Sequence, residues 1–209
     1  MEPKKFWDKM AARYDQQALG KYRTAYEETI KISKKYLKPT DRLLDFACGT
    51  GIATIELAGS VQQVMAIDLS DEMVRIAEEK ALGRGIDNIA FKTATLEDDG
   101  LLKNSFDVIT AFNILHGLQD PGTALARIGT LLKTGGLFLS VTDCLGEKIT
   151  ATSLLYRCLA KMDFIPAVNF VKKAELIKMI TAHGFVVMEQ KNLYPSPPNY
   201  YIAARKNGV

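Results

Sequence analysis

Leu43-Leu44-Asp45-Phe46-Ala47-Cys48-Gly49-Thr50-Gly51, residues 43–51, is the stretch on which the fold turns. An apolar run ends in an acid, small residues and two glycines follow, and an apolar helical pattern opens at Ile52. That order reads as a strand entering a tight loop that starts a helix. Glycine belongs in such a loop because it lacks a Cβ and accepts positive φ, and the first amides of the helix favour an anionic group. The next strand-like run, Val64-Met65-Ala66-Ile67-Asp68, also ends in an acid. In a doubly wound sheet a carboxylate at the tip of the second strand is placed to take both ribose hydroxyls. Loop and carboxylate together point to a bound nucleoside.

Outward from this segment, strand and helix patterns alternate. The periodicity predicts helices over 5–15 and 22–37, the second ended by Pro39, then strand 42–47, helix 52–59, strand 62–67, helix 71–82, and strands 88–94 and 105–112. Asp120-Pro121 supplies an N-cap and a first-turn proline to a helix whose stripe is Leu125, Ile128 and Leu132. Gly135-Gly136 is expected to stop that helix and admit strand 137–142. Alternation of this kind means a parallel sheet with helices on both faces. After a helix at 172–182, strands 185–189 and 200–205 are separated by a loop holding Pro195, Pro197 and Pro198, too short for a helical crossover and hence antiparallel. The expected fold is α/β, a seven-stranded, mostly parallel sheet with one reversed strand.

These residues resemble the class I S-adenosylmethionine-dependent methyltransferases, whose first motif runs acid-x-Gly-x-Gly-x-Gly. Here Asp45, Ala47, Gly49 and Gly51 fill it, with Ala47 at the first glycine. Phe106-Asp107-Val108-Ile109-Thr110-Ala111-Phe112 resembles the family's fourth strand. Leu131-Leu132-Lys133-Thr134-Gly135-Gly136 resembles its "LLKPGG" turn with Thr134 in the proline's place. The resemblance spans about residues 5–205 and implies a three-layer Rossmann-like fold, S-adenosylmethionine as cofactor and methyl transfer by in-line displacement. It also implies cofactor contacts from Asp45, Ala47, Gly49, Thr50, Gly51, Asp68, Leu69, Phe112 and Asn113. Trp7, Tyr14 and Asp15 resemble a pattern at the mouth of many small-molecule members, where Tyr14 would reach the methionine carboxylate; the alternative is that Trp7 and Tyr14 merely pack. In the third-strand segment Thr95 stands where the family has an acid toward the adenine, with the Leu96 amide still able to donate and Glu97 or Asp98 as substitutes.

Composition bounds the rest. A chain of 209 residues, 47% hydrophobic, can bury one core, and a single domain over 1–209 is expected, with 1–40 as a helical lid and 145–170 as a helical insertion. No apolar run reaches a membrane span and the start lacks a secretory signal, so a cytoplasmic protein is expected. Cys48, Cys144 and Cys158 lack metal or disulfide spacing and read as reduced core residues; no metal site is expected. Residues 1–42 hold 11 Lys/Arg against 6 Asp/Glu, but Lys31, Lys34, Lys35 and Lys38 sit at the spacing of a solvated helix face, so no nucleic-acid partner is expected.

His116 follows the fourth strand at the ligand-binding edge and is the candidate proton acceptor or substrate contact, its alternative being an exposed or capping role. His183 is expected to meet the last carbonyls of its helix. The insertion carries Leu154, Leu155, Tyr156, Leu159, Met162, Phe164 and Ile165, which suits an apolar or aromatic small-molecule acceptor, a covered sheet edge or a homodimer contact. Two other readings compete: a nicotinamide-dependent oxidoreductase, disfavoured by Thr54 where the dinucleotide fingerprint wants Gly or Ala, and a non-catalytic protein that keeps the cofactor site.

Overall fold

The computed structural model of the chain describes residues 2–148, 151–162, 164–166 and 168–208; Ile149, Thr150, Asp163 and Ala167 of the expected insertion lie outside the described residues. Its elements run α1 (Pro3–Lys21), α2 (Arg23–Lys34), β1 (Arg42–Phe46), α3 (Ile52–Ala58), β2 (Gln63–Asp68), α4 (Asp71–Gly83), β3 (Ile89–Thr93) and β4 (Phe106–Phe112). A single 3₁₀ turn, Leu115–Gly117, precedes α5 (Pro121–Leu131), β5 (Leu132–Asp143), α6 (Ala151–Lys161), α7 (Lys173–Ala182), β6 (Phe185–Pro195) and β7 (Pro198–Lys206).

The seven strands order as β3-β2-β1-β4-β5-β7-β6. Strands β1 to β5 pair in parallel, and β7 runs antiparallel to both β5 and β6. Period-two alternation sends Ile109, Ala111, Phe138 and Ile202 to one face, buried under Leu125 and Ile128 of α5 and Leu176 and Ile180 of α7. Leu43, Val64, Leu139 and Tyr201 point to the other, buried under Ile32 of α2 and Ala58 of α3. Sheet order 2-1-4 puts the tips of β1 and β4 side by side, which in an open α/β sheet is where the connection reverses and a crevice opens.

Several expectations are corrected. Helix α1 extends through Lys21, well beyond residue 15, because Gln16, Gln17 and Ala18 continue a helix-favouring run, and α2 ends at Lys34, before Pro39. Helix α5 stops at Leu131, where Leu132 turns extended; Gly135 and Gly136 lie inside β5. There the pairing jumps from Phe106 with Leu132 to Val108 with Leu137. Gly135 takes φ +73, and a Cβ on Gly136 would stand 3.0 Å from the Asp107 carbonyl, so this glycine pair serves a bulge, not a helix stop. The terminal hairpin runs to Pro195 and resumes at Pro198, far tighter than the expected loop. Finally, Cys158 is exposed, and Leu154, Leu155, Met162 and Phe164 are exposed as well, so they do not cover the sheet edge.

Candidate active site

The loop after β1 takes its shape from three positive-φ residues, Ala47 at 61°, Gly49 at 55° and Gly51 at 76°. Ala47 thus adopts the left-handed backbone that the first glycine of the motif would supply, at the steric cost a Cβ brings there. A Cβ on Gly51 would stand 3.2 Å from Ala77 and Ile55, so that position keeps α3 and α4 close. The Cys48 amide donates to the Ile67 carbonyl at 3.0 Å, tying the loop to β2.

Two buried acids hold this loop. Asp68 accepts from the Gly49 amide and the Ser70 amide, each at 2.9 Å, and burial raises its pKa. Asp45 accepts from Thr54 Oγ1 at 2.5 Å and Thr110 Oγ1 at 2.6 Å. Burial pushes the Asp45 carboxyl up to about 6 although both threonines favour its charged form. Asp45 therefore ties β1 to α3 on one side and to β4 on the other, fixing the strand from which the loop departs. Thr54, which the sequence marked only as a departure from a dinucleotide fingerprint, is half of its clamp.

Helix α1 lies across the mouth of the loop. Its Tyr14 ring is 3.8 Å from where a Gly49 Cβ would be, and its hydroxyl meets that of Tyr26 at 3.1 Å. Asp15 accepts from Thr50 Oγ1 and, at 2.7 Å, from Lys80 Nζ, which also donates to the Thr50 carbonyl at 2.7 Å. Nearer the start of the helix, Asp8 accepts from Ser70 Oγ at 2.6 Å and Lys4 meets Asp71 at 2.6 Å. Trp7 touches Tyr14 edge to face with centroids 6.1 Å apart, so packing and placement of Tyr14 coexist.

At the tips of β4 and β5 a different group assembles. Asn113, at φ 58°, donates its amide to Val141 at 2.7 Å. Asn199 Nδ2 donates to Asn113 Oδ1 at 3.0 Å and to Asp143 Oδ1 at 2.7 Å, and Asn113 Nδ2 reaches the Tyr26 hydroxyl at 3.5 Å. A polar chain thus runs Tyr14, Tyr26, Asn113, Asn199, Asp143. Phe112, half-buried, precedes it. His116 sits in the 3₁₀ turn, its Nδ1 buried without a partner among the described residues. Burial lowers its pKa against the pull of Asp143, leaving a neutral imidazole at neutral pH.

The third-strand expectations separate. Thr95 is exposed and accepts from the Glu97 amide at 3.3 Å; Asp98 is taken by Lys92 at 2.8 Å and the Gly100 amide at 2.9 Å. Leu96 buries its side chain and gives its carbonyl to Arg127 Nε at 2.9 Å. Neither Thr95 nor Leu96 hydrogen-bonds to the loop or to Asp68. Leu69 is half-buried between Asp68 and Ser70. His183 meets the Met179 carbonyl at 2.8 Å, as its helix-end position implied. Asp15 belongs to the sequence pattern that Trp7 and Tyr14 carry, whereas Tyr26, Thr110, Asp143, Asn199 and Lys80 had no local signal because each meets the site only through sheet or helix packing.

A cavity of ≈ 320 Å³ lies on the α7 side of the sheet, lined in part by Leu115, Thr142, Phe170 and Met179. Among the described residues no group of three His, Cys, Asp or Glu is placed to hold a metal, and no helix is long and apolar enough to cross a membrane.

A family model described as a methyltransferase domain matches residues 37–196. An O-methyltransferase of ubiquinone biosynthesis from Xanthomonas axonopodis is 27% identical over 199 residues, 92% of this chain and 80% of that protein. An uncharacterised Synechococcus protein is 36% identical over 99 residues, covering 46% of this chain and only 24% of that protein. In fold the chain is similar to the geranyl diphosphate C-methyltransferase of Streptomyces coelicolor, solved with Mg²⁺, geranyl diphosphate and S-adenosyl-L-homocysteine. That likeness has a TM-score of 0.74 at 15% identity, over 93% of this chain and 84% of that one.

Proposed function

Since the chain belongs to the class I S-adenosylmethionine-dependent methyltransferases, we propose that it methylates a small molecule held at the tips of β4 and β5, beside the roof that α1 and α2 form. The observation that carries this reading is the roof over the strand tips: Tyr14 and Tyr26 join hydroxyls at 3.1 Å above the loop, and Asn113 reaches Tyr26 from below. A polymer would need that edge open. In this reading the chain is one domain, with 1–40 as the lid and 145–170 as the insertion, and it works in the cytoplasm, where its three cysteines stay reduced.

The residues present fit the cofactor. Ala47 and Gly49 hold the backbone in the left-handed shape the family's loop requires. Each Asp68 oxygen accepts from one backbone amide and keeps a lone pair for a ribose hydroxyl. Tyr14, Thr50, Leu69, Phe112 and Asn113 would line the remainder, with Asp45 and Gly51 behind them. When bound, the cofactor supplies a methyl group already activated by a sulfonium charge. The chain's work is then to align the acceptor and exclude water, which can supply several kcal/mol (roughly 7–11 at the upper limit). His116, neutral and with Nδ1 unengaged, is the group available to orient an acceptor or receive its proton.

Calorimetry and thermal shift with S-adenosylhomocysteine against NAD test the cofactor: binding and a raised Tm with the former alone are expected. Turnover over an acceptor panel separates an enzyme from a cofactor-binding protein without catalysis. His116→Gln should lower turnover by about a hundredfold if His116 takes a proton, and raise acceptor KM with an unchanged pH profile if it only positions. A wild-type profile throughout removes it from the site.

A further inference from the structure

Three buried side-chain polar atoms lack a hydrogen-bond partner among the described residues: His116 Nδ1, Ser140 Oγ and Thr142 Oγ1. They are not scattered. Ser140 and Thr142 alternate onto the face of β5 that packs under α7, and His116 follows the tip of the neighbouring strand β4. A buried hydroxyl without a partner is uncommon in a native protein and calls for an occupant that satisfies it.

Thr142, fully buried, lines the ≈ 320 Å³ cavity together with Leu115, Phe170, Leu176 and Met179. The size lies at the small end of ligand clefts, which run from about 300 to 1,000 Å³. Leu115 shares the 3₁₀ turn with His116, so one short element carries both the cavity wall and the imidazole. Phe170, on another wall, carries the Arg157 guanidinium of α6 at 4.5 Å from its ring centre, so the insertion helix backs the pocket. Among the described residues the lining holds one charged residue, Glu175, whose carboxylate accepts from the Lys172 amide at 2.8 Å at the start of α7. No lysine or arginine lines it, which disfavours a phosphorylated or carboxylated ligand.

We propose that this cavity receives the body of the methyl acceptor, and that the acceptor is a neutral, mainly apolar molecule with a hydroxyl that hydrogen-bonds to Thr142 Oγ1. The assignment rests on the methyltransferase reading and adds to it the class of acceptor and the residue that selects it. A site built to meet a hydroxyl rejects the analogue lacking one, because its own polar group is then left unpaired.

The test uses the whole chain with 4-propylphenol and propylbenzene as probes, followed by ligand-observed NMR or calorimetry, with S-adenosylhomocysteine affinity measured in parallel as a check of folding. Wild type should prefer 4-propylphenol. Thr142→Val should weaken 4-propylphenol about tenfold and bring the two probes to parity, and Thr142→Ser should restore the preference. Met179→Trp, which fills the cavity, should abolish binding of both. The proposal is overturned if wild type fails to bind 4-propylphenol, if Thr142→Val keeps the preference, or if Met179→Trp in a folded protein leaves binding intact. Loss of S-adenosylhomocysteine binding by wild type itself strikes the methyltransferase reading instead, and the phenol arm still reports on the cavity.

Discussion

At the tips of β1 and β2 each oxygen of the two buried carboxylates, Asp45 and Asp68, has a donor within 2.9 Å. At the other half of the same edge, around β4 and β5, three buried polar atoms have none among the described residues. On the proposed function, the contrast separates two tasks. A cradle for one unvarying cofactor gains from being finished before the ligand arrives, since its dipoles then need no reorganisation on binding. A surface that selects among acceptors keeps its hydrogen-bonding capacity unspent. The half whose acids are already partnered should therefore be intolerant of change, and the other half should respond to ligand more than to mutation.

The largest expected effect is on pH dependence. Burial raises Asp45 to about 6 from an ordinary 3.8, so the native state binds its proton more tightly than the unfolded chain does. Its contribution is fully present below the unfolded value and is lost as pH rises through about 6, a change on the order of 3 kcal/mol. Asp45→Asn should remove that part of the slope in denaturant midpoints taken between pH 4 and 7. A slope identical to wild type means that Asp45 is not held as described.

Next is Asp68→Ala, which strips the Gly49 and Ser70 amides of their acceptor as well as removing the carboxylate proposed to meet the ribose. Affinity for S-adenosylhomocysteine should fall at least about tenfold, equivalent to roughly 1.5–3 kcal/mol, in a protein that still folds. Unchanged calorimetric affinity would dissolve the cradle half of the contrast.

A matched pair then tests the two halves directly. Thr110→Val leaves one Asp45 oxygen unpaired and should cost about 1–3 kcal/mol of stability, whereas Ser140→Ala deletes a hydroxyl that bonds to nothing among the described residues and should stay within about 0.5 kcal/mol or gain. Equal losses in urea unfolding contradict the asymmetry. The smallest effect belongs to Ala47→Gly. Relief of a left-handed alanine, worth about 1–2 kcal/mol, is partly offset by the unfolded-state entropy of glycine, so calorimetry should show a net gain of about 1 kcal/mol or less.

The cradle was legible in the sequence because its parts are neighbours along the chain. Asp45, Ala47, Gly49 and Gly51 fall within seven residues, and the left-handed backbone of the last three favours small residues. Asp68 could be found because a lone acid closing an apolar strand has few structural uses. On the acceptor side only Asn113 and His116 stood out in the sequence: Asp143 and Asn199 join Asn113 because β5 and β7 pair antiparallel, and no local pattern announces that pairing. The glycine pair after α5 misled for a related reason. Gly135-Gly136 has the chemistry of a helix C-terminus, but the ladder between β4 and β5 used the same freedom for a bulge. In the insertion, apolar composition suggested burial, and exposure of Leu154 and Leu155 shows that composition alone does not supply a surface to pack against.

The reversed strand β7 also sets an order in time. During synthesis, every hydrogen bond to Asp45 and Asp68 can form once residue 110 has emerged, since the partners run from Gly49 to Thr110. The link from Asn113 to Asp143 waits for Asn199, near the end of the sequence. Until β7 arrives, β5 presents an unpaired edge bearing Phe138, Leu139 and Val141, the kind of edge on which nascent chains associate. A ribosome-bound chain halted before residue 198 should already protect the β1 and β2 amides from hydrogen exchange while leaving those of β5 that face β7 open.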